Sequence, residues 1–148
     1  GLLMQKLLAV HVTRQGYEVI IPDQDESEGV KRLFDLLPAM KNLKRRDASV
    51  TYFIDEFDRS LHSLLTEHLL NRFLYSCGAE TRKQLIVTTQ NPFLINQDLL
   101  RRDELWIANR ESDGSTILYP MADFRELRLD KDIRKSYFEG RMGGLPNL

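Results

Sequence analysis

The chain has 148 residues, 42% hydrophobic and 29% charged, which is long enough for one globular domain with a core. Its 21 basic and 22 acidic residues leave a formal net charge of −1, which excludes attraction of the whole molecule to nucleic acid or anionic lipid. One cysteine, Cys77, excludes an internal disulfide, and no run is apolar for the roughly 20 residues that a membrane span needs. We therefore expect a cytoplasmic domain with no signal peptide and no membrane partner.

Runs with strand character alternate along the chain with runs of helical spacing. The predicted strands are Leu7 to Thr13, Tyr17 to Ile21, Val50 to Ile54, Gln84 to Thr89, Leu105 to Ala108 and Thr116 to Tyr119. The predicted helices run from Glu28 to about Leu43 with a kink near Pro38, from Leu61 to near Gly78, and briefly after Asn91-Pro92. The pattern predicts an α/β fold with a parallel sheet flanked by helices and a β-hairpin at the N-terminus, turning at Gly16.

Two adjacent carboxylates, Asp55 and Glu56, follow directly on the apolar run Val50 to Ile54. Ligands of open α/β sheets bind outside the carboxyl ends of the strands, so acids at that edge are placed for metal and phosphate chemistry. The pattern is typical of a Walker B motif with a catalytic Glu. The first carboxylate would hold Mg²⁺, and the second would orient or deprotonate an attacking water. Taken alone, the pattern also fits an ordinary acidic turn after a strand.

Two further groups of polar residues accompany the carboxylates. Ser27-Glu28-Gly29 precedes a helix whose free N–H groups and Ser hydroxyl can receive a phosphate, although an ordinary helix cap explains it as well. Thr88-Thr89-Gln90 follows the next apolar run, where a side chain could contact a γ-phosphate or its attacking water, or could simply end a strand. At separations suited to neighbouring strands of one sheet, the three groups together are more specific than any one of them.

In this order, the segments resemble the C-terminal half of an ABC-type ATPase head. The branch includes recombination, chromosome-maintenance and OLD ATPases, and the likeness is strongest to bacterial AAA-family ATP-binding proteins of abortive infection and phage defence. E-S-E-G-V-K-R-L-F-D-L-L-P is similar to their signature motif and the helix that follows it. Y-F-I-D-E-F-D is similar to Walker B, D-R-S-L-H to the D-loop and T-T-Q-N to the switch. The likeness extends from about Asp25 through the C-terminal Y-F-E-G-R-M-G-G-L-P.

The resemblance implies a role for each matching residue. Asp55 would organise Mg²⁺ and Glu56 would polarise the lytic water. Ser27, Glu28 and Gly29 would contact a nucleotide held by the opposing subunit of a dimer that sandwiches ATP between its heads, and Asp58 would act across that interface. Gln90 stands where the family usually has a switch His, and Gln can orient a water but cannot become a charged acid. His62 belongs to the D-loop likeness and is expected to be structural or interfacial.

One family motif is absent. The sequence contains no G-x-x-x-x-G-K-[ST], the Walker A loop that holds the β- and γ-phosphates. We therefore expect residues 1–148 to be a single partial domain, the C-terminal half of a head that needs an N-terminal Walker A half as partner. The intact parent would use ATP and Mg²⁺, whereas this chain alone would bind neither tightly and would be inactive as an ATPase.

Two alternatives remain open. The chain could be a non-catalytic module that dimerises or docks an effector nuclease or toxin, and Gln90 would then reflect relaxed catalytic demand. A metal-dependent nuclease built on Asp55 and Glu56 would require a further carboxylate cluster, which the sequence does not offer. A first group of basic residues needs no ligand, because the helix dipole favours cations at a helix end. It comprises Lys41, Lys44, Arg45 and Arg46. A second group is a candidate for DNA contact, although a solvated helix face explains it more simply. It comprises Arg125, Arg128, Lys131, Arg134 and Lys135.

Overall fold

A computed structural model describes residues 8–45, 47–124 and 133–145. The chain divides into two compact units, Gly1–Gln90 and Asn91–Leu148. Within the described ranges, no helix is long and apolar enough to cross a membrane. Some residues of the predicted elements and basic clusters lie outside the described ranges, namely Leu7, Arg46, Arg125, Arg128 and Lys131.

The first unit begins with a β-hairpin. Strand β1 (Ala9–Val12) pairs antiparallel with β2 (Glu18–Ile21), in a register that sets Ala9 opposite Ile21 and Val12 opposite Glu18. The turn closes with a hydrogen bond from the amide of Gly16 to the carbonyl of Thr13, 2.9 Å. Gly16 has a φ of 85°, a left-handed conformation that glycine adopts without steric cost, which is why the chain reverses there.

The unit contains two helices, one before and one after strand β3 (Ser49–Ile54), and each has a side-chain cap at its N-terminus. Helix α1 (Glu28–Leu43) begins after Ser27, whose hydroxyl accepts from the amide of Val30 at 3.3 Å, and it runs through Pro38. Helix α2 (Ser63–Tyr75) begins after His62, whose Nδ1 accepts from the amide of Leu64 at 3.2 Å. The caps satisfy amides that have no partner inside the helix, so they fix where each helix starts.

Strands β3 (Ser49–Ile54) and β4 (Arg82–Val87) form a parallel pair. Alternate residues of the pair face the helices. Two hydrogen bonds show this: the buried Nζ of Lys83 donates to the carbonyl of Leu43 at the end of α1, and the side-chain amide of Asn42 on α1 donates to the hydroxyl of Tyr52. The opposite face remains exposed and includes Phe53, 72% exposed, and Ile86, 44% exposed. The unit is therefore α/β with a parallel strand pair, which is compatible with a P-loop-like fold.

Several predicted boundaries differ from the structure, and two of the differences concern the segments that follow β3 and β4. The second helix begins at Ser63 rather than Leu61, because the amide of Leu61 donates to the carbonyl of Asp58 and completes a turn before the helix starts. The strand predicted to end at Thr89 ends at Val87. Thr88 leaves the ladder because its carbonyl accepts from the amide of Phe57, on the turn that follows β3.

The second unit is built on an antiparallel pair. Strands β5 (Trp106–Arg110) and β6 (Thr116–Pro120) are joined by a turn at Gly114, and a short helix α3 (Ile133–Phe138) follows. A small core forms around four buried side chains, those of Ile107, Met121, Ile133 and Met142. Three side-chain hydrogen bonds hold the segment after α3: Tyr119 to the carbonyl of Met142, Tyr137 to that of Gly144, and the amide of Gly144 to Asn109.

Candidate functional site

The predicted catalytic carboxylates lie on a tight turn at the carboxyl end of β3. Asp55 and Glu56 are exposed, and the next side chain, Phe57, is fully buried and anchors the turn. Glu56 has a φ of 46°, and this left-handed conformation costs a residue with a side chain roughly 1–2 kcal/mol. Non-glycine residues keep such a conformation only where their surroundings hold it, and the contacts of this turn supply the restraint.

Thr88, the first residue after β4, holds the turn from one side. Its hydroxyl donates to Oδ1 of Asp55 and accepts from the amide of Glu56 at 2.8 Å. Its backbone amide donates to the carbonyl of Ile54 at 3.1 Å, and its carbonyl accepts from the amide of Phe57 at 3.0 Å. Thr88 therefore fixes the directions of both carboxylate residues, a role different from the phosphate contact considered for it in the sequence.

Arg32, on α1, holds the turn from the other side. Its Nη2 donates to the main-chain carbonyls of Asp55 at 2.9 Å and Glu56 at 2.7 Å. Its Nε is buried without a hydrogen-bond partner in the part of the chain that the structure describes. Sequence reasoning missed Arg32. The one available signal was its position one helical turn after Gly29, in a segment already singled out for phosphate binding.

The predicted signature residues start α1 beside the same turn. Gly29 approaches the carbonyl oxygen of Ser60 so closely that a Cβ at position 29 would lie 2.9 Å from it. Ser60 also has a left-handed conformation, with a φ of 61°. The hydroxyl of Ser27 caps the helix. The first turn of α1 therefore contacts the segment after β3 at two points, Gly29 on Ser60 and Arg32 on the carboxylate residues.

In the portion of the chain that the structure describes, the remaining predicted site residues, Glu28, Asp58 and Gln90, do not take part in the side-chain hydrogen bonds that hold the turn after β3. The carboxylate of Glu28 accepts a hydrogen bond from the ammonium of Lys31 at 2.9 Å and forms an ion pair with it. This hydrogen bond raises the pKa of Lys31. Asp58 is half-buried within the turn after β3, and its carbonyl accepts from the amide of Leu61. Gln90 is exposed, three residues beyond the end of β4. Among the described residues its side chain does not join the hydrogen bonds around Thr88.

The donor chemistry of the turn fits Mg²⁺. This ion prefers oxygen ligands and binds proteins through one or two carboxylates, with waters and substrate phosphates completing its shell. Asp55 and Glu56 offer two exposed carboxylates at one strand end. In the described part of the chain, no group of three or more acidic, His or Cys side chains is placed to hold a metal ion. The turn can therefore supply part of a magnesium site that a phosphate ligand would complete.

A shallow depression of the first unit lies elsewhere. It is lined by residues at the N-terminal ends of β3 and β4, among them Ser49, Thr51, Thr81, Lys83 and Gln84. The carboxylates lie at the opposite ends of the same strands. Because ligands of parallel sheets bind at the carboxyl ends, the turn after β3 is the candidate site and the depression is not.

Comparison with protein families identifies one matching model. Residues 8–96 match a family described as "AAA domain, putative AbiEii toxin, Type IV TA system". The match spans the hairpin, α1, the turn with the two carboxylates, α2 and β4, and it covers more than half of the 148 residues. Comparison with curated proteins gives no significant match. The chain belongs to this AAA domain family, and residues 8–96 are an AAA-type ATPase domain.

Proposed function

We propose that the chain is the part of an ABC-type ATPase head that contributes the signature, Walker B, D-loop and switch segments. In this proposal Asp55 would ligate Mg²⁺, Glu56 would activate the attacking water and Gln90 would orient it. Ser27 and Gly29 contact the γ-phosphate of a nucleotide held by a second copy of the head, with Glu28 between them in the same nucleotide-binding segment. Asp58 acts across the interface between the two heads. Bound ATP and Mg²⁺ would supply the phosphoanhydride bond and the charge neutralisation.

One observation carries the proposal: two exposed carboxylates occupy a restrained turn at the carboxyl end of a parallel strand, against the first turn of a helix. Arg32 and Thr88 hold that turn from both sides. A left-handed Glu56 is costly for an ordinary surface loop, and conformations of this kind cluster at functional sites. A restrained main chain at Glu56 limits the positions that its carboxylate can reach, and activation of a water at a fixed phosphate requires such positioning.

The exposed face of the β3–β4 pair supports the proposal that another protein segment packs against this unit. Parallel sheets are normally covered on both faces, whereas the β3–β4 pair is covered by helices on one face only. Phe53 and Ile86 stand exposed on the other face, opposite each other in the register. We propose that the Walker A half, on the same polypeptide or on a second one, adds strands and covers this face.

The family description supports a biological setting. It names the AbiEii toxin and a type IV toxin–antitoxin system. We propose that the ATPase acts in abortive infection or a related phage defence, with an effector nuclease or toxin as its partner. Contact with DNA is a further part of this proposal. Among the basic residues considered for it, Lys135 lies 4.0 Å from Glu139.

Steady-state ATP hydrolysis tests the enzymatic role of Glu56. In the assembly that includes a Walker A half, we expect Glu56→Gln to lower kcat by about a hundredfold or more, because the amide cannot accept a proton from water. The apparent affinity for ATP should change little. Glu80→Gln is the matched control, because it makes the same chemical change at an exposed carboxylate on the segment between α2 and β4. Equal turnover in the wild type and in Glu56→Gln would contradict the proposal.

A second candidate function is a docking module that binds nucleotide without turning it over. The observation that favours it is Gln90, an exposed amide at the position where the resemblance expects a switch His. In that case the wild-type assembly would bind ATP but hydrolyse it no faster than Glu56→Gln. Replacement of Gln90 by His separates the two functions, because only a catalytic switch position would respond with a changed rate.

A further inference from the structure

We propose that Arg32 is the positioning residue for Glu56: its guanidinium fixes the backbone of the turn after β3 so that the Glu56 carboxylate points in the direction that hydrolysis requires. This inference rests on the proposed function and adds to it a residue of helix α1 to which the resemblance assigns no role. Arg32 would act through the main chain of the turn, without touching nucleotide or metal.

The first step concerns the hydrogen bonds of Arg32. One terminal nitrogen, Nη2, donates both its hydrogens to two consecutive main-chain carbonyls, those of Asp55 and Glu56. Two consecutive carbonyls that converge on one donor restrict the orientation of the peptide group between them. That peptide group sets the direction in which the Glu56 side chain leaves the backbone. Arg32 is therefore bonded to the main chain from which the Glu56 side chain departs.

The second step concerns the cost of the arrangement. Glu56 has the left-handed φ of 46°, which the chain would leave if nothing held it. The Nε of Arg32 is buried and unpaired within the described ranges, although buried polar atoms are normally hydrogen-bonded. The two hydrogen bonds of Arg32 therefore help to hold a strained carboxylate residue, and backbone strain of this kind clusters at functional sites.

The third step concerns the position of Arg32 in the chain. It lies on α1, five residues after Ser27 and one helical turn after Gly29, which contacts the carbonyl of Ser60. Movement of the start of α1 would therefore be transmitted to Glu56 through a pair of hydrogen bonds. Thr88 restrains the other side of the turn but directly follows β4, so Arg32 is the hydrogen-bonding restraint that comes from the signature helix.

The first test uses the 148-residue chain without nucleotide. Arg32→Met keeps most of the length of the side chain but removes its donors. Amide hydrogen exchange at Glu56 and Phe57, which donate to Thr88, should become about tenfold faster or more. The amides in the centre of β4 should keep their exchange rates. Arg72→Met, at an exposed position of α2, is the matched control and should leave exchange at Glu56 and Phe57 unchanged.

The second test uses the assembly with a Walker A half and measures kcat and KM for ATP. Arg32→Met should lower kcat on the order of ten- to a hundredfold with little change in KM, because the carboxylate is misdirected while nucleotide binding is retained. In the Glu56→Gln background the same change should have no further effect, since Arg32 acts only through that carboxylate. Arg32→Lys should restore part of the rate, because an ammonium offers donors without the planar geometry of guanidinium.

The outcomes separate this inference from the proposed function. Unchanged exchange at Glu56 and Phe57 in Arg32→Met overturns the inference, and so does a loss of kcat that is equally large in the Glu56→Gln background. If Arg32→Met fails to fold, the same two measurements on Arg32→Lys decide. An assembly that never hydrolyses ATP, with exchange at Glu56 still accelerated in Arg32→Met, overturns the proposed function and leaves Arg32 as the anchor of the turn.

Discussion

Gly29 is required by a contact. It lies in the first turn of α1, where most residues are tolerated, and its φ is not in the left-handed region. The carbonyl of Ser60 occupies the space that a side chain would need, at 2.9 Å from the position of a Cβ. The neighbouring atom belongs to the backbone of a strained residue and cannot swing aside. The absence of a side chain at position 29 thus lets the helix start pack on the turn that carries the carboxylates.

Gly29→Ala should destabilise the chain in spite of the better helix propensity of Ala. Ala is favoured over Gly inside a helix by about 1 kcal/mol, but overpacking against a fixed neighbour costs about 1–3 kcal/mol. We expect a net loss of about 1 kcal/mol in the free energy of unfolding, measured by urea denaturation. Gly78→Ala is the control, because its added Cβ would meet nothing within 4 Å. A Gly29→Ala variant as stable as Gly78→Ala would contradict the contact.

The sequence identified the acidic and glycine residues of the candidate site but not its restraints. Asp55 and Glu56 could be assigned because an apolar strand leads directly into them, and Gly29 because it precedes a helical repeat. Arg32 could not, since it donates to main-chain carbonyls 23 and 24 positions away, and carbonyls carry no sequence signature. The left-handed φ of Glu56 was equally hidden, because Glu has no preference for that conformation.

At the scale of elements, Lys83 joins strand β4 to the C-terminal ends of both helices. Its Nζ donates to the carbonyl of Leu43 at 2.7 Å and to that of Ser76 at 3.0 Å. Carbonyls at helix ends have no partner within the helix, and the helix dipole favours a positive charge beside them. One buried ammonium thus satisfies the ends of α1 and α2 and sets the position of both relative to the sheet.

Lys83→Met should lower the free energy of unfolding by about 1–3 kcal/mol, because carbonyls at two helix ends lose their donor in a buried position. Thermal or urea unfolding of the 148-residue chain measures the loss. Lys41→Met, at an exposed position near the end of α1, should change stability by less than about 0.5 kcal/mol. If both variants lose the same amount, the effect belongs to charge at the helix end in general and not to the buried cap.

The elements themselves were largely predictable, and so were both ends of α1, whereas the ends of other elements were not. The start of α1 at Glu28 follows from the capping Ser27, and its end at Leu43 from the loss of helical spacing. The start of α2 was misplaced because Leu61 fits the apolar repeat, although His62 is the cap. The predicted range of β4 extended too far toward the C-terminus, because Gln84 to Thr89 is rich in residues that favour strands. In the structure, hydrogen bonds with the turn after β3 take Thr88 out of the strand.

At the scale of the whole molecule, the proposed function places each nucleotide site between two heads, and both heads contribute residues to it. The signature at the start of α1 would serve a nucleotide on a second head, while Glu56 serves the nucleotide on its own head. Closed homodimers repeat such an arrangement twice by symmetry. Each site then needs one intact carboxylate and one intact signature from different subunits, so two differently damaged copies can complement each other.

Mixing two inactive variants therefore tests the central claim most directly. Ser27→Arg places a bulky cation at the proposed phosphate contact, and Glu56→Gln removes the proposed base. In assemblies with a Walker A half, each variant alone should hydrolyse ATP at a background rate. An equimolar mixture allowed to exchange subunits should recover roughly a quarter of the wild-type rate, because random pairing gives one intact site in each mixed dimer. A mixture that remains at background, while the wild type turns over, would contradict the account.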